Sequence, residues 1–97
     1  MIRSFAGTAT KDLFHGVDSR AARATCPVEL WPVLRRKMTQ LNRVADLREL
    51  AIPPGNRLER LTGSRRGQHS IRIHQQYRFC FRWEAGHADE VEVTDYH

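Results

Sequence analysis

Residues 69–83, with the sequence HSIRIHQQYRFCFRW, alternate apolar and polar side chains in two short runs. In the first run two isoleucines flank Arg72, and in the second run aromatic residues occupy every odd position from Tyr77 to Trp83. A period of two, enriched in β-branched and aromatic residues, is typical of strands that bury one face. The two runs therefore predict two strands of a sheet, around which the rest of the chain can be arranged.

Weaker strand signals lie on both sides of this stretch. The run EVEVTDY at residues 90–96 alternates in the same way, residues 56–61 predict a weaker strand, and residues 63–67 predict a turn. Residues 2–5 are expected to form a short strand or an extended start, and about four strands in the second half of the chain are expected to form an antiparallel sheet. The apolar residues predicted to face the helices are Ile71, Ile73, Tyr77, Phe79, Phe81, Trp83, Val91 and Val93.

The first half of the chain predicts helices. Thr8 or Thr10 is a candidate N-cap for a short helix that stops at Gly16, and residues 17–25 are expected to form a loop. A longer helix is expected to start within residues 27–32 and to run to Val44, followed by a helical turn that ends at the Pro-Pro-Gly of residues 53–55. Its apolar stripe consists of Leu30, Leu34, Met38 and Leu41. This pattern predicts an α+β fold with the helices on one face of the sheet.

The polar face of the sheet follows from the alternation. A hairpin at residues 85–87 pairs Arg82 with Glu92 in a cross-strand ion pair, and it pairs Arg78 with Tyr96. Whatever the register, the side chains predicted on this face are Arg72, Arg78, Arg82, Thr94 and Tyr96.

Charge indicates a polyanionic partner. The chain of 97 residues is expected to form one domain with a net charge of +5, and fourteen of its sixteen positive residues are arginines. Seven arginines against one acid lie within residues 57–82. The guanidinium of arginine binds phosphate through two parallel hydrogen bonds, so RNA or DNA is the first candidate partner and an acidic protein is the second. With two cysteines and no apolar segment long enough for export or a membrane span, a cytoplasmic protein with reduced thiols and no membrane contact is expected.

The chain ends in Asp95-Tyr-His97, which places a carboxylate, a phenol and an imidazole beside the predicted position of Arg78. These groups suit the cleavage of RNA by its own 2′-hydroxyl. That reaction needs a base, a cation that stabilises the phosphorane and an acid that protonates the leaving oxygen, and it requires neither metal nor cofactor.

Several motifs carry a resemblance that covers essentially the whole chain and is most specific from residue 52 onward. They are PPGNRLE at residues 53–59, GQHSIRI at residues 67–73, YRF and FRW within residues 77–83, and VEVTDYH at residues 91–97. The chain resembles the HigB branch of the RelE/ParE toxin superfamily, the plasmid-maintenance killer proteins, and especially its GraT-like members.

The resemblance implies a RelE-like fold, in which a small antiparallel sheet packs against two N-terminal helices. It also implies a toxin of a type II toxin-antitoxin system that enters the A site of the 70S ribosome and cleaves mRNA there. Its partner would be a helix-turn-helix antitoxin of the HigA type, and operator DNA would be contacted only through that antitoxin. Arg78 matches the arginine of the family's strand motif, and Asp95, Tyr96 and His97 match its terminal triplet.

The chain departs from some HigB toxins in one strand. Those toxins carry His-Pro-Leu-Lys where this chain has Glu59-Arg-Leu-Thr62, so the general base stays open between Glu59, His69 and His97. The further residues expected to contact RNA are Arg57, Arg60, Arg65, Arg66, His69, Arg72, His74 and Arg82. Two other functions are compatible with the same resemblance: a non-enzymatic inhibitor of DNA gyrase, as in ParE toxins, and a weak toxin that acts mainly with its antitoxin in operon repression.

Overall fold

The computed structural model describes residues 1–95, in which a four-stranded antiparallel sheet of order β1-β2-β3-β4 carries helices on one face. The helices are α1 (Thr8–His15), α2 (Arg20–Thr25) and α3 (Trp31–Arg43), and the strands are β1 (Glu59–Arg60), β2 (His69–Arg72), β3 (Tyr77–Glu84) and β4 (His87–Asp95). Short 3₁₀ turns cover Val28–Leu30, Leu47–Ala51, Pro54–Asn56 and Gly63–Arg65. No helix within residues 1–95 is both long enough and apolar enough to cross a membrane. The predicted α+β class is confirmed.

The α1 helix ends where predicted but begins differently. Gly16 adopts the left-handed conformation (φ 74°) in which its N–H reaches the last carbonyls of the helix, as expected for a stop signal. The predicted threonine caps are wrong, because Gly7 precedes the helix and no side chain caps it. Thr10 is instead buried, and its Oγ1 accepts a hydrogen bond of 3.0 Å from the Val93 backbone N–H. This bond ties α1 to β4.

The α2 helix lies within residues 17–25, where a loop was predicted. Ser19 caps it by accepting a hydrogen bond of 3.1 Å from the Ala22 N–H, and its hydroxyl donates to Asp12 at 2.7 Å. Ala22 is completely buried. The prediction was wrong because this single turn and a half buries only small side chains, which leave no apolar period in the sequence.

The α3 helix and the sheet meet in one core. The predicted apolar stripe is confirmed, with Leu34, Met38 and Leu41 buried and Leu30 partly buried against the core. All eight apolar positions predicted on the inner face of the sheet belong to or pack against the same core, Trp83 being only partly buried. The N-terminal strand predicted at residues 2–5 makes two isolated parallel bridges to β4, through Ile2 and Phe5.

The predicted hairpin register is wrong. Ala85 and Gly86 form a two-residue turn with positive φ at both positions, and a bulge beyond it gives β4 one extra residue near Glu90, whose φ is 53°. Arg78 therefore lies opposite Thr94 rather than Tyr96, and Arg82 lies opposite Asp89 rather than Glu92. The ion pair of Arg82 is made with Glu90 at 2.6 Å.

The strand predicted over residues 56–61 shrinks to two residues. Asn56 is completely buried and donates from its amide to the Leu50 carbonyl at 3.0 Å, and Arg57 turns the chain with φ of 46°. The 3₁₀ turn at Pro54–Asn56 and the left-handed Arg57 after it occupy the start of the predicted strand, so β1 begins only at Glu59.

Candidate functional site

Three clefts adjoin one another around β1 and the polar face of the sheet. The central cleft, of about 360 Å³, is lined by Leu61, Thr62, Ser64, Arg65, Ser70, Arg78, Cys80, Thr94 and Asp95. The cationic cleft, of about 270 Å³, is lined by Arg57, Arg72, His74, Gln75 and Arg78. The edge cleft, of about 620 Å³, is lined by Arg60, Leu61, Thr62, Gly63, Arg66, Gly67 and His69. Arg78 lines both the central and the cationic cleft.

Arg78 is held in the middle of the sheet with only 6% of its surface exposed. Its Nη2 donates to the Arg57 carbonyl at 2.8 Å, and its Nη1 lies 3.3 Å from Glu59 Oε2. The left-handed conformation of Arg57 presents that carbonyl to the guanidinium. A buried cation needs such partners, and together they fix the direction in which the fork points.

Glu59 reaches Arg78 because of the strand pairing. Glu59 lies opposite Ser70, Ser70 lies opposite Cys80, and these positions share the polar face with Arg78. The Glu59 side chain is 47% exposed. The structure thus brings together a cation and a solvent-accessible carboxylate, two of the groups that the sequence suggested for catalysis.

The cationic cleft carries three arginines, and no carboxylate lines it within the described part of the chain. Arg72 lies directly opposite Arg78 on the neighbouring strand, and its Nε is 3.4 Å from the His74 carbonyl. Neighbouring like charges raise the local positive potential, which favours an anion such as a phosphodiester. This cleft contains the predicted RNA contacts Arg57, Arg72 and His74.

The central cleft is closer to neutral. Arg65 is paired with Glu92 at 2.8 Å, and that hydrogen bond raises the pKa of Arg65 above its ordinary value. At the floor the Thr94 hydroxyl donates to Cys80 Sγ at 3.2 Å. Ser70 is completely buried beside them, and its hydroxyl has no hydrogen-bond partner among the described residues.

His69 and Arg60 lie on the other face of the sheet from Arg78. They pair with each other across β1 and β2, and His69 stacks on Phe81 of the core at 6.2 Å between ring centres. Burial, and then the charge of Arg60, lowers the pKa of His69. The structure therefore does not place His69 beside Arg78, which removes the geometric basis for treating it as the general base. Arg66 lines the edge cleft on the same side.

The remaining predicted site residues have different placements. Arg82 is exposed and paired with Glu90, outside the three clefts. Asp95, at the end of β4, lines the central cleft and accepts from Gln76 at 3.2 Å. Tyr96 and His97 lie outside the described residues.

Sequence reasoning missed several residues that line the clefts, among them Ser70 and Cys80. Ser70 and Cys80 belong to the floor of the central cleft, and both occupy even positions of the alternating strands, on the same side as Arg78. The alternation therefore contained the signal, but neither residue is charged. Within residues 1–95, no three or more His, Cys, Asp or Glu side chains form a group that could hold a metal ion.

Comparison with known proteins gives one family. A model described as the RelE-like toxin of the type II toxin-antitoxin system HigB matches residues 4–97. Toxin HigB-1 of Vibrio cholerae is 42% identical over 60 residues, which are 62% of this chain and 63% of that protein. An uncharacterized protein of Haemophilus influenzae is 34% identical over 58 residues, which are 60% and 57% of the two chains. The matched part is thus less than two thirds of the length of these curated relatives.

The fold is shared with solved structures at low sequence identity. The YoeB-YefM complex from Staphylococcus aureus contains a chain with a TM-score of 0.56 and 16% identity, and the match covers 100% of this chain and 98% of that one. A heterotetrameric YoeB-YefM complex from the same organism gives a TM-score of 0.56 and 17% identity, with the same coverage. At this level of identity the similarity supports the fold alone.

Proposed function

This chain belongs to the HigB-like family of RelE-like toxins of type II toxin-antitoxin systems, and we propose that it is a ribosome-dependent endoribonuclease that cuts mRNA. The observation that carries the proposal is the buried guanidinium of Arg78, which opens onto a cleft of three arginines and has the Glu59 carboxylate 3.3 Å away. A fixed cation next to a proton acceptor is what in-line cleavage by a 2′-hydroxyl requires.

The proposed reaction uses the RNA's own nucleophile. Glu59 accepts the proton of the 2′-hydroxyl, the 2′-oxygen bonds to phosphorus and the bond to the 5′-oxygen breaks, which leaves a cyclic phosphate and a 5′-hydroxyl. Arg78 stabilises the charge of the phosphorane. We further propose that His97 and Tyr96, the groups that the sequence suggests as an acid/base pair, protonate the leaving oxygen, with Asp95 as the residue that orients His97. His97 is the alternative base, and the reaction requires no metal or cofactor.

The proposed partners follow from the family. We propose a HigA-type helix-turn-helix antitoxin, contact with operator DNA only through it, and action in the A site of the 70S ribosome in the cytoplasm. Arg57, Arg72 and His74 would hold RNA phosphates at the polar face, Arg65 would contact RNA in the more neutral central cleft, and Arg60, Arg66, His69 and Arg82 would make peripheral contacts.

The test is induction of the chain without antitoxin, followed by mapping of mRNA 5′ ends. We expect discrete cuts within translated regions and growth arrest. Arg78→Ala, and a variant that lacks His97, should lose both effects but still bind the antitoxin, whereas Arg48→Ala, at a residue that lines none of the three clefts, should behave as wild type.

Other outcomes would replace the proposal. DNA damage without cuts would indicate gyrase inhibition, and normal growth would indicate a role confined to operon repression. Full toxicity and normal cleavage by both site variants would show that the assignment of Arg78 and His97 is wrong.

A further inference from the structure

Ser70 stands out because it is a polar group buried without compensation. It is 0% exposed, and its hydroxyl has no hydrogen-bond partner among residues 1–95. Burying a hydroxyl without a partner lowers the stability of the fold, so such groups call for an explanation. Ser70 lines the central cleft, and a serine hydroxyl can turn between three staggered positions toward a group that enters it.

The surroundings of Ser70 favour a neutral ligand over a phosphate. The positive charge of Arg65 is met by Glu92 at 2.8 Å, and the Asp95 carboxylate lines the same cleft. Next to Ser70, the Thr94 hydroxyl donates a hydrogen bond to Cys80 Sγ at the floor of the cleft. Hydroxyls both donate and accept hydrogen bonds, so this floor suits the edge of a polar, uncharged group.

The neighbouring cationic cleft has the opposite character, with three arginines and no lining carboxylate within the described part of the chain. Arg78 lines both clefts and forms the boundary between them. A nucleotide is a ligand with the same division, because its phosphate is anionic and its base is a flat, neutral group that carries donors and acceptors.

From this arrangement we propose that the central cleft is a nucleobase pocket and that Ser70 reads the edge of the base next to the phosphate held at Arg78. The inference rests on the proposed cleavage of RNA and adds a specificity-determining residue to it. The hydroxyl of Ser70 gains in the complex the partner that it lacks in the free protein. Thr94 supplies the second hydroxyl of the pocket.

The experiment measures base preference with translating ribosomes. Messages that differ only in the bases on either side of one cleavage site are offered to the wild type, Ser70→Ala and Thr94→Val, and the 5′ ends are counted. At one of the two flanking positions, Ser70→Ala should reduce the ratio between the best and the worst base by about three- to tenfold, the effect of one lost hydrogen bond. Thr94→Val should change the preference at the same position, and Thr39→Ala, on the outer side of α3, should not.

Thermal unfolding of the same proteins separates a reading role from a structural one. If the hydroxyl of Ser70 is unsatisfied in the free protein, its removal leaves the melting temperature unchanged or raises it. A lower melting temperature together with an unchanged base preference would assign Ser70 to the packing of the sheet, for example through a buried water, and would overturn the inference.

The two proposals fail in different ways. If the wild type cuts messages and Ser70→Ala shows the wild-type preference at both positions, the nucleobase pocket is wrong and the nuclease stands. If the wild type gives no cuts on any message, the proposed function is wrong and the inference falls with it.

Discussion

Arg78 shows how a single residue links folding to the proposed chemistry. The guanidinium is nearly buried, so folding has already removed it from water and restricted its rotamers. Glu59 and the Arg57 carbonyl offset part of that cost. A cation whose orientation is set before the substrate arrives needs little reorganisation in the transition state, which is the basis of electrostatic catalysis.

Glu59 is the residue whose replacement tests the general base most directly. Glu59→Gln keeps the size and one acceptor oxygen but removes the basic carboxylate, so we expect kcat to fall by about 10²–10⁴-fold. Glu59 is half exposed but Arg78 is nearly buried, so loss of the carboxylate should lower stability by more than the loss of a surface ion pair does, about 1–3 kcal/mol. Single-turnover cleavage and thermal unfolding measure the two effects. An unchanged cleavage rate would transfer the role of base to His97.

His69 gives a prediction about pH. Burial lowers its pKa from the ordinary value of 6.5, so the unfolded chain takes up the proton more readily than the folded one. The stabilisation that accompanies neutral His69 is therefore present above pH 6.5 and is lost as the pH falls toward the lowered pKa. Urea unfolding at pH 7.5 and at pH 5.5 should show a smaller loss of stability in His69→Gln than in the wild type. Equal losses in both proteins would contradict the assignment.

At the level of elements, the N-cap of α2 also connects this helix to α1. Ser19 both accepts from the Ala22 N–H and donates to Asp12 of α1, so one side chain joins two helices. Ser19→Ala should lower the free energy of unfolding by about 1 kcal/mol, within the usual range for a lost N-cap. Urea unfolding measures it, and Ser64→Ala, an exposed serine that caps no helix, is the matched control. A loss no larger than that of the control would mean that α2 does not need this cap.

The hairpin of β3 and β4 shows why alternation predicts faces better than partners. The inner face was predicted correctly, because each strand keeps its own period of two. The partners were not, because they depend on the two-residue turn and on the bulge at Glu90. Ala85 and Glu90 adopt positive φ although neither is glycine. The residue types at these positions therefore did not indicate the change of register.

Across the whole molecule, acids and arginines are paired selectively. Three acids of β4, Asp89, Glu92 and Glu90, are paired with Arg3, Arg65 and Arg82 respectively. Arg57, Arg66 and Arg72, by contrast, make no ion pair with another residue of the described chain. Arg57, Arg66 and Arg72 line the clefts, where an RNA strand would release counterions on binding, and further cations unpaired within the described chain, such as Arg36 and Arg43, lie on α3.

Arg72 is the residue that tests this distribution. Arg72→Ala should weaken binding to the ribosome-mRNA complex and should reduce the slope of log affinity against log salt by about one, as expected for one phosphate contact. Arg48→Ala removes the same charge from an arginine paired with Asp46 outside the clefts, and it should leave the slope unchanged. Affinity measured at several salt concentrations gives both slopes. Equal slopes for the two variants would indicate that affinity depends on the net charge of the protein and not on the position of Arg72.

The local order of residues by itself determined the α+β class, the inner and polar faces of the sheet, the α3 helix and the basic character of the surface. Each of these follows from a short period or from composition, which are properties of neighbouring residues. The alternation also placed His69 on the same side of the sheet as Ile71, which faces the core. The prediction of His69 as an RNA contact or a general base did not take this placement into account.

The tertiary structure alone decided which side chains meet. The contact of Glu59 with Arg78 needs the short strand β1, the turn after it and the pairing of three strands. The clefts on either side of Arg78 arise where segments distant in sequence come together, and their contrast in charge depends on the pairing of Arg65 with Glu92. Such contacts are set by the closing of loops and by backbone angles at a few positions, which no local pattern of side chains encodes.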